Sequence, residues 1–131
     1  MDKSSARVTG SAAVLLVRDV EKSLGYYRDA LGFTPIVVTP DPPTFALLRR
    51  GEGAVILTRA DDPTVIVPYW TVQSKTSNVY FWVDDAESLY EEYQGRGAKI
   101  DWTLYDTPWG TREFGVQDID GYDLAFNQVL S

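Results

Sequence analysis

Two stretches of the chain repeat one pattern, and that repeat constrains the fold more than any other feature of the sequence. Ala12-Ala13-Val14-Leu15-Leu16-Val17-Arg18-Asp19-Val20 and Asn78-Val79-Tyr80-Phe81-Trp82-Val83-Asp84-Asp85-Ala86 each run from an apolar, strand-forming segment through an aspartate into a helical pattern that stops near glycine. Asp19 and Asp85 stand about half the chain apart. One supersecondary unit is therefore written twice.

In the first copy Asp19 suits the helix N-cap, its carboxylate accepting from the free amides of the first turn. Val20, Leu24, Tyr27 and Leu31 then share one helical face, and Gly32 supplies a left-handed C-terminal turn. In the second copy Ala86, Leu89, Tyr90 and Tyr93 make the apolar stripe. Asp84 with Glu87 forms a capping box that competes with Asp85 for the cap, and either Gly95 or Gly97 ends the helix. Three strand-like runs follow each helix, at 33–38, 45–49 and 54–59, and at 99–105, 112–117 and 122–128. Pro40, Pro42, Pro43 and the Arg50-Gly51-Glu52-Gly53 turn separate the first set, and Pro108-Trp109-Gly110 and Asp118-Ile119-Asp120-Gly121 the second. The reading is βαβββ twice, an α+β fold in a single domain over 1–131. The first module occupies 11–60 and the second 78–131. The joining segment, 61–77, is apolar in its middle (Val65-Ile66-Val67-Pro68-Tyr69-Trp70), so it is expected to pack over either a cleft mouth or a partner chain.

Composition removes whole classes of function. The 131 residues are 44% apolar, enough to build a core by burying about two-thirds of the extended surface. A formal charge of −7 argues against a phosphate backbone or an anionic membrane face and is compatible with a cationic ligand. With no cysteine and no histidine, disulfides, thiolate sites, Ser-His-Asp triads and His-rich metal sites are all excluded. The longest apolar run, residues 12–17, falls far short of the roughly 20 residues of a membrane span. Residues 1–11 have no apolar signal core. The expectation is a cytoplasmic protein with no nucleic-acid or membrane partner.

A strand ending in Val-x-Asp, a helix with Tyr26-Tyr27-x-x-x-Leu31-Gly32-Phe33, and a last hairpin of Arg112-Glu113-Phe114-x-x-x-Asp118-x-Asp120-Gly121 resemble the vicinal oxygen chelate superfamily of glyoxalases, extradiol dioxygenases, fosfomycin-modifying transferases and bleomycin resistance proteins. The resemblance runs over nearly the whole chain. Pro108-Trp109-Gly110-Thr111-Arg112-Glu113-Phe114 is most similar to the bleomycin-binding branch. Metal-dependent members carry four ligands, whose positions fall here at Ala12, near Ile56, at Asn78 and at Ala125. Only Asn78 offers a donor, whereas a divalent site needs several converging at once. The resemblance therefore implies a member without the inherited metal, and no cofactor is expected. It also implies a homodimer, to which Tyr69 and Trp70 fit as interface residues.

Strand alternation gives the expected cleft. Val79, Phe81 and Val83 face core, and Asn78, Tyr80 and Trp82 the concave side. Ala13, Leu15 and Val17 are core, and Ala12, Val14 and Leu16 face inward. Tyr122, Leu124 and Phe126 lie on the helix side, with Asp123, Ala125 and Asn127 inside. The candidate ligand-binding residues are Phe45, Asn78, Tyr80, Trp82, Trp109, Gly110 and Asp123. Of these, Phe45, Tyr80 and Trp109 match by motif the aromatics that line the drug groove of the bleomycin-binding branch. Aromatic faces stack on planar groups and attract cations, so a small, planar, positively charged ligand is expected.

Each residue also has a plainer role. Tyr80 and Trp82 suit a core or dimer interface, Phe45 the core, Asp123 a solvated edge, and Asn78 a partner for a backbone group. Glu87, Glu91 and Glu92 suit a solvated helix face, with Glu92 set to pair with Arg96. Arg112 and Glu113 either pair across strands or orient the Trp109 loop. The function expected is sequestration of an antibiotic of the bleomycin type without metal or bond-making. The alternatives are a superfamily enzyme using Asp123, Tyr80 or Tyr105 for proton transfer, with or without a non-inherited metal, and a carrier of another planar natural product.

Overall fold

The computed structural model describes residues 4–131. Its elements run β1 (Ala13–Val17), α1 (Val20–Asp29), β2 (Thr34–Val38), β3 (Phe45–Arg50), β4 (Gly53–Arg59), two short 3-10 turns (Pro63–Val65 and Tyr69–Thr71), β5 (Val79–Trp82), α2 (Ala86–Arg96), β6 (Lys99–Asp106), β7 (Thr111–Gln117) and β8 (Asp123–Val129). This is the α+β arrangement expected from the repeat, with βαβββ occurring twice. The two four-stranded sheets have equivalent orders, β1-β4-β3-β2 and β5-β8-β7-β6. In each, the first strand runs parallel to the last and the others pair antiparallel.

The caps explain where the helices start and stop. Asp19 accepts from the Lys22 amide at 3.1 Å, and Asp85, rather than Asp84, accepts from the Ser88 amide at 3.0 Å. Gly97, with φ of 80°, ends α2 in the left-handed conformation, which glycine adopts without a Cβ penalty. The first helix closes one residue earlier than its apolar stripe suggests, on Ala30, and Gly32 turns the chain just beyond it.

The two modules share one apolar interior. Val17, Tyr27, Leu31, Leu48 and Leu57 of the first are buried in the same cluster as Tyr93, Phe114, Val116, Leu124 and Phe126 of the second. Phe33 and Phe81 meet across the boundary with ring centroids 5.6 Å apart. Tyrosine hydroxyls then tie one module to backbone or carboxylate of the other. Tyr26 donates to the Gln117 carbonyl, Tyr27 to Asp118 Oδ2, Tyr93 to the Leu31 carbonyl and Tyr122 to the Leu16 carbonyl, all within 2.6–2.8 Å. Each ring is mostly apolar with one polar tip, so it can fill the core and still satisfy a buried group. Arg50 grips Glu92 at 2.7 and 2.9 Å and also donates to the Leu31 carbonyl.

Candidate functional site

The helix-covered faces of the sheets supply the core, and the opposite face of the second sheet is left concave and open. A cavity of about 790 Å³ lies there, walled by Trp70, Tyr80, Trp102, Tyr105 and Trp109, with Asp101, Glu113, Gln117 and Asp123 on its floor and Lys75 among the residues that roof it.

The floor comes from strand alternation. Phe114 and Val116 of β7 point into the core, so Glu113, Gly115 and Gln117 point away from it, and in β8 Asp123, Ala125 and Asn127 do the same. Register places Glu113 opposite Asn127, Gly115 opposite Ala125 and Gln117 opposite Asp123. The middle of this floor is therefore small, and the Trp102 ring occupies the space above Gly115. A Cβ on residue 115 would collide with that ring. The β6 strand is irregular on either side of Trp102, which lets the neighbours Asp101 and Trp102 both reach the cavity.

Bracing of the rim is covalent in neither case but specific in both. The turn bearing Trp109 is closed by Thr107 and Thr111, whose hydroxyls lie 2.7 Å apart, and by a two-point pair of Arg112 with Asp106 at 2.6 and 3.1 Å. Of the two roles open to Arg112, it thus takes a cross-strand pair that also holds the Trp109 turn, while Glu113 turns to the cavity. On the other side, the Trp70 indole donates to the Gly121 carbonyl at 2.6 Å, so the joining segment lies over the cleft mouth.

The floor carboxyls are electrostatically unusual. Burial, followed by the adjacent Asp101 carboxyl, pushes Asp123 up to about 6, with Gln117 opposing in part. Burial also raises Glu113, partly offset by the Trp102 indole and the Tyr80 hydroxyl beside it. Of the buried side-chain oxygens without a hydrogen-bond partner, Glu113 Oε1 and Asp123 Oδ1 belong to residues of this floor, whereas Asn127 Oδ1 belongs to a residue that does not line the cavity. Unpaired buried acceptors are costly, and Glu113 and Asp123 carry theirs in the wall of a space large enough to admit a molecule.

The structure brings Tyr80, Trp109 and Asp123 together around this cavity. Asp123 is no solvated edge residue: β8 is an interior strand of its sheet, and the residue is only 4% exposed. Trp82 and Asn78 lie beside a neighbouring hollow at the edge of β5. Trp82 is largely exposed, and its ring packs edge-on against Tyr80 at 5.4 Å. The Asn78 carboxamide accepts from the Tyr69 amide at 3.0 Å, the backbone role open to it from sequence. Gly110, with φ of 88°, forms the turn after Trp109. Phe45 is half-buried on the outer face of β3 in the first sheet and does not line the cavity.

Sequence reasoning missed Asp101, Trp102, Glu113 and Gln117 as wall or floor, and left Trp70 on a segment packed over either a cleft mouth or a partner chain, of which the structure shows the first. For Glu113 and Gln117 the signal was available, since alternation about Phe114 and Val116 puts both on the concave side. For Asp101 and Trp102 it was not, because a bulge breaks the alternation that would have located them.

At the positions where metal-dependent relatives of this fold carry ligands, Ala12, Ile56 and Ala125 have no donor, and the Asn78 oxygen is already engaged by Tyr69. These residues do not fit a metal ion. No helix among the described residues is long and apolar enough to cross a membrane.

The fold agrees with sequence comparison. The chain belongs to the Glyoxalase/Bleomycin resistance protein/Dioxygenase superfamily, whose model matches residues 10–126. A bleomycin resistance protein from Geobacillus stearothermophilus is 29% identical over 130 residues, covering 92% of this chain and 96% of its own. Among solved structures, TioX from Micromonospora sp. ML1 superposes with a TM-score of 0.75 at 25% identity, covering 94% of this chain and all of its own. The bleomycin-binding protein of bleomycin-producing Streptomyces verticillus, solved with copper(II)-bleomycin, superposes with a TM-score of 0.68 at 25% identity, covering 96% and 98%.

Proposed function

We propose that this protein binds a planar, positively charged antibiotic of the bleomycin type and holds it out of action without metal or covalent chemistry. The observation that carries the reading is one cavity in which aromatic walls stand over a floor of buried, unpartnered carboxylate oxygens. Aromatic faces stack on flat rings and attract cations, at about 0.5–2 kcal/mol per good contact. The acidic floor adds attraction that strengthens once water is expelled, and the overall charge of −7 speeds encounter with a cation. The bleomycin-resistance relatives point to the ligand class.

The same reading includes a homodimer. Val14, Leu16 and Val37 are exposed and Phe45, Leu47 and Ile56 half-buried on the first sheet. A second copy set against this face would cover it and bring Phe45 to the cavity of its partner. Titration of the metal-free protein with a bleomycin, followed by tryptophan emission, is expected to saturate at micromolar drug with one site per chain. No saturable change would remove this ligand class. A second reading draws on the Asp123 carboxyl, raised to about 6 in the wall of the same cavity as the Tyr80 and Tyr105 side chains: that is the poise of a general acid or base. Chemical turnover of a bound drug would favour it.

A further inference from the structure

We infer that Asp118 and Asp120, which do not line the cavity, are positioning residues for binding: they fix the turn between β7 and β8, from which the roof of the cleft hangs. This rests on the binding reading above and adds to it residues that never touch the guest. Trp70 and residues 74–77 cover the cavity. Among the described residues, 71–77 form hydrogen bonds only within the stretch 68–78, so two ties at the ends set the height of the roof over the floor. The Trp70 indole donates to the Gly121 carbonyl at 2.6 Å. The Asn78 amide donates to the Asp123 carbonyl at 2.9 Å. Both acceptors sit on this turn or on the first residue after it.

The two carboxylates give the turn its shape. Asp118 Oδ1 accepts from the amides of Asp120 and Tyr122 at 3.0 and 2.9 Å. The Tyr122 amide and the Gly121 carbonyl belong to one planar trans peptide, in which N–H and C=O point opposite ways. Holding the amide on Asp118 therefore aims the carbonyl outward, at Trp70. Asp118 Oδ2 is held in turn by the Tyr27 hydroxyl at 2.7 Å. Asp120 accepts from the Arg18 guanidinium at 3.0 Å and from the Ser23 hydroxyl at 3.3 Å. All three donors belong to the first module, and both carboxylate residues are buried, so water does not readily replace these bonds. The first module thus aims a wall of a cavity built on the second. This gives the Asp118-x-Asp120-Gly121 pattern a part in binding, although neither carboxylate faces the guest.

Two variants of one residue test this. Asp118→Ala removes the acceptor, whereas Asp118→Asn keeps an oxygen for both amides. In titrations with a bleomycin, Asp118→Ala is expected to bind at least about ten-fold more weakly than wild type, the scale of one charge-assisted hydrogen bond, and Asp118→Asn within about two-fold of it. Hydrogen exchange followed by NMR separates aiming from stability. In Asp118→Ala the Trp70 indole N–H is expected to exchange faster, while the amides of Leu57 and Phe126 keep their wild-type rates. Wild-type affinity in Asp118→Ala, an Asp118→Asn as weak as the alanine variant, or acceleration spread evenly over the core amides would each overturn the inference. If Asp118→Ala does not fold, Arg18→Ala, which takes a half-exposed guanidinium from Asp120, is expected to move both readouts the same way, and no movement in either would overturn it. Failure of the wild type to bind the drug counts against the ligand reading alone, and Trp70 exchange then decides this one.

Discussion

Replacing Asp123 by asparagine should make the empty protein more stable, and only at the right pH. In the folded chain the carboxyl is pushed up to about 6, from an ordinary value near 4 in the unfolded chain. Between those values the folded state holds a proton that the unfolded state has released, so stability falls as pH rises through this window. Above it, the full displacement corresponds to about 3 kcal/mol at most, and water in the open cavity reduces that to roughly 1–2 kcal/mol. Asparagine removes the charge, keeps the shape and offers an N–H to Asp101. For a chain of this length 1 kcal/mol moves the melting temperature by about 3–5 °C. Asp123→Asn is therefore expected to melt about 3–10 °C above wild type at pH 8, with the gap closing towards pH 4. Calorimetric scans of both proteins at fixed ionic strength across that range provide the check. A gap that does not change with pH, or a variant less stable at pH 8, would refute the idea that the site holds a penalised carboxyl.

Two further substitutions probe the frame around it. Gly115→Ala forces the Trp102 ring off β7, with an expected cost of about 1–3 kcal/mol in denaturant unfolding and a shift in tryptophan emission; unchanged stability together with unchanged emission would count against that packing. Tyr27→Phe takes a donor at 2.7 Å from buried Asp118, itself raised to about 6. The loss should be about 1–3 kcal/mol at pH 8 and smaller at pH 5, where the carboxyl is protonated; an equal loss at both would show that the bond is not to a charge.

Much of the fold was legible in the sequence. The Asp-capped helices, the strand runs and the core-facing set of β5 and β8 follow from local rules, namely side-chain period, caps and glycine turns, and these act within a few residues. Elsewhere the answer lay outside that range. Asp123 reads as a solvated edge residue until strand order is known, because whether β8 is an edge depends on its pairing with β5, far away in sequence. Trp102 depends on a bulge that no periodicity announces and on Gly115, a residue whose importance is the absence of a side chain. Phe45 resembles a groove residue by motif, yet within one chain it belongs to the other sheet, since motif position carries no information about which copy of the repeat closes a cleft.

The tyrosine ties between the halves bear on how the molecule comes apart. Tyr93 rests its hydroxyl on Leu31, Tyr122 on Leu16, and Tyr26 and Tyr27 reach back to the last hairpin. Loosening either half strands polar atoms of the other in a dry interior, so the duplicated units melt together. A binding event on the second sheet consequently protects the whole chain, including the half the guest never touches.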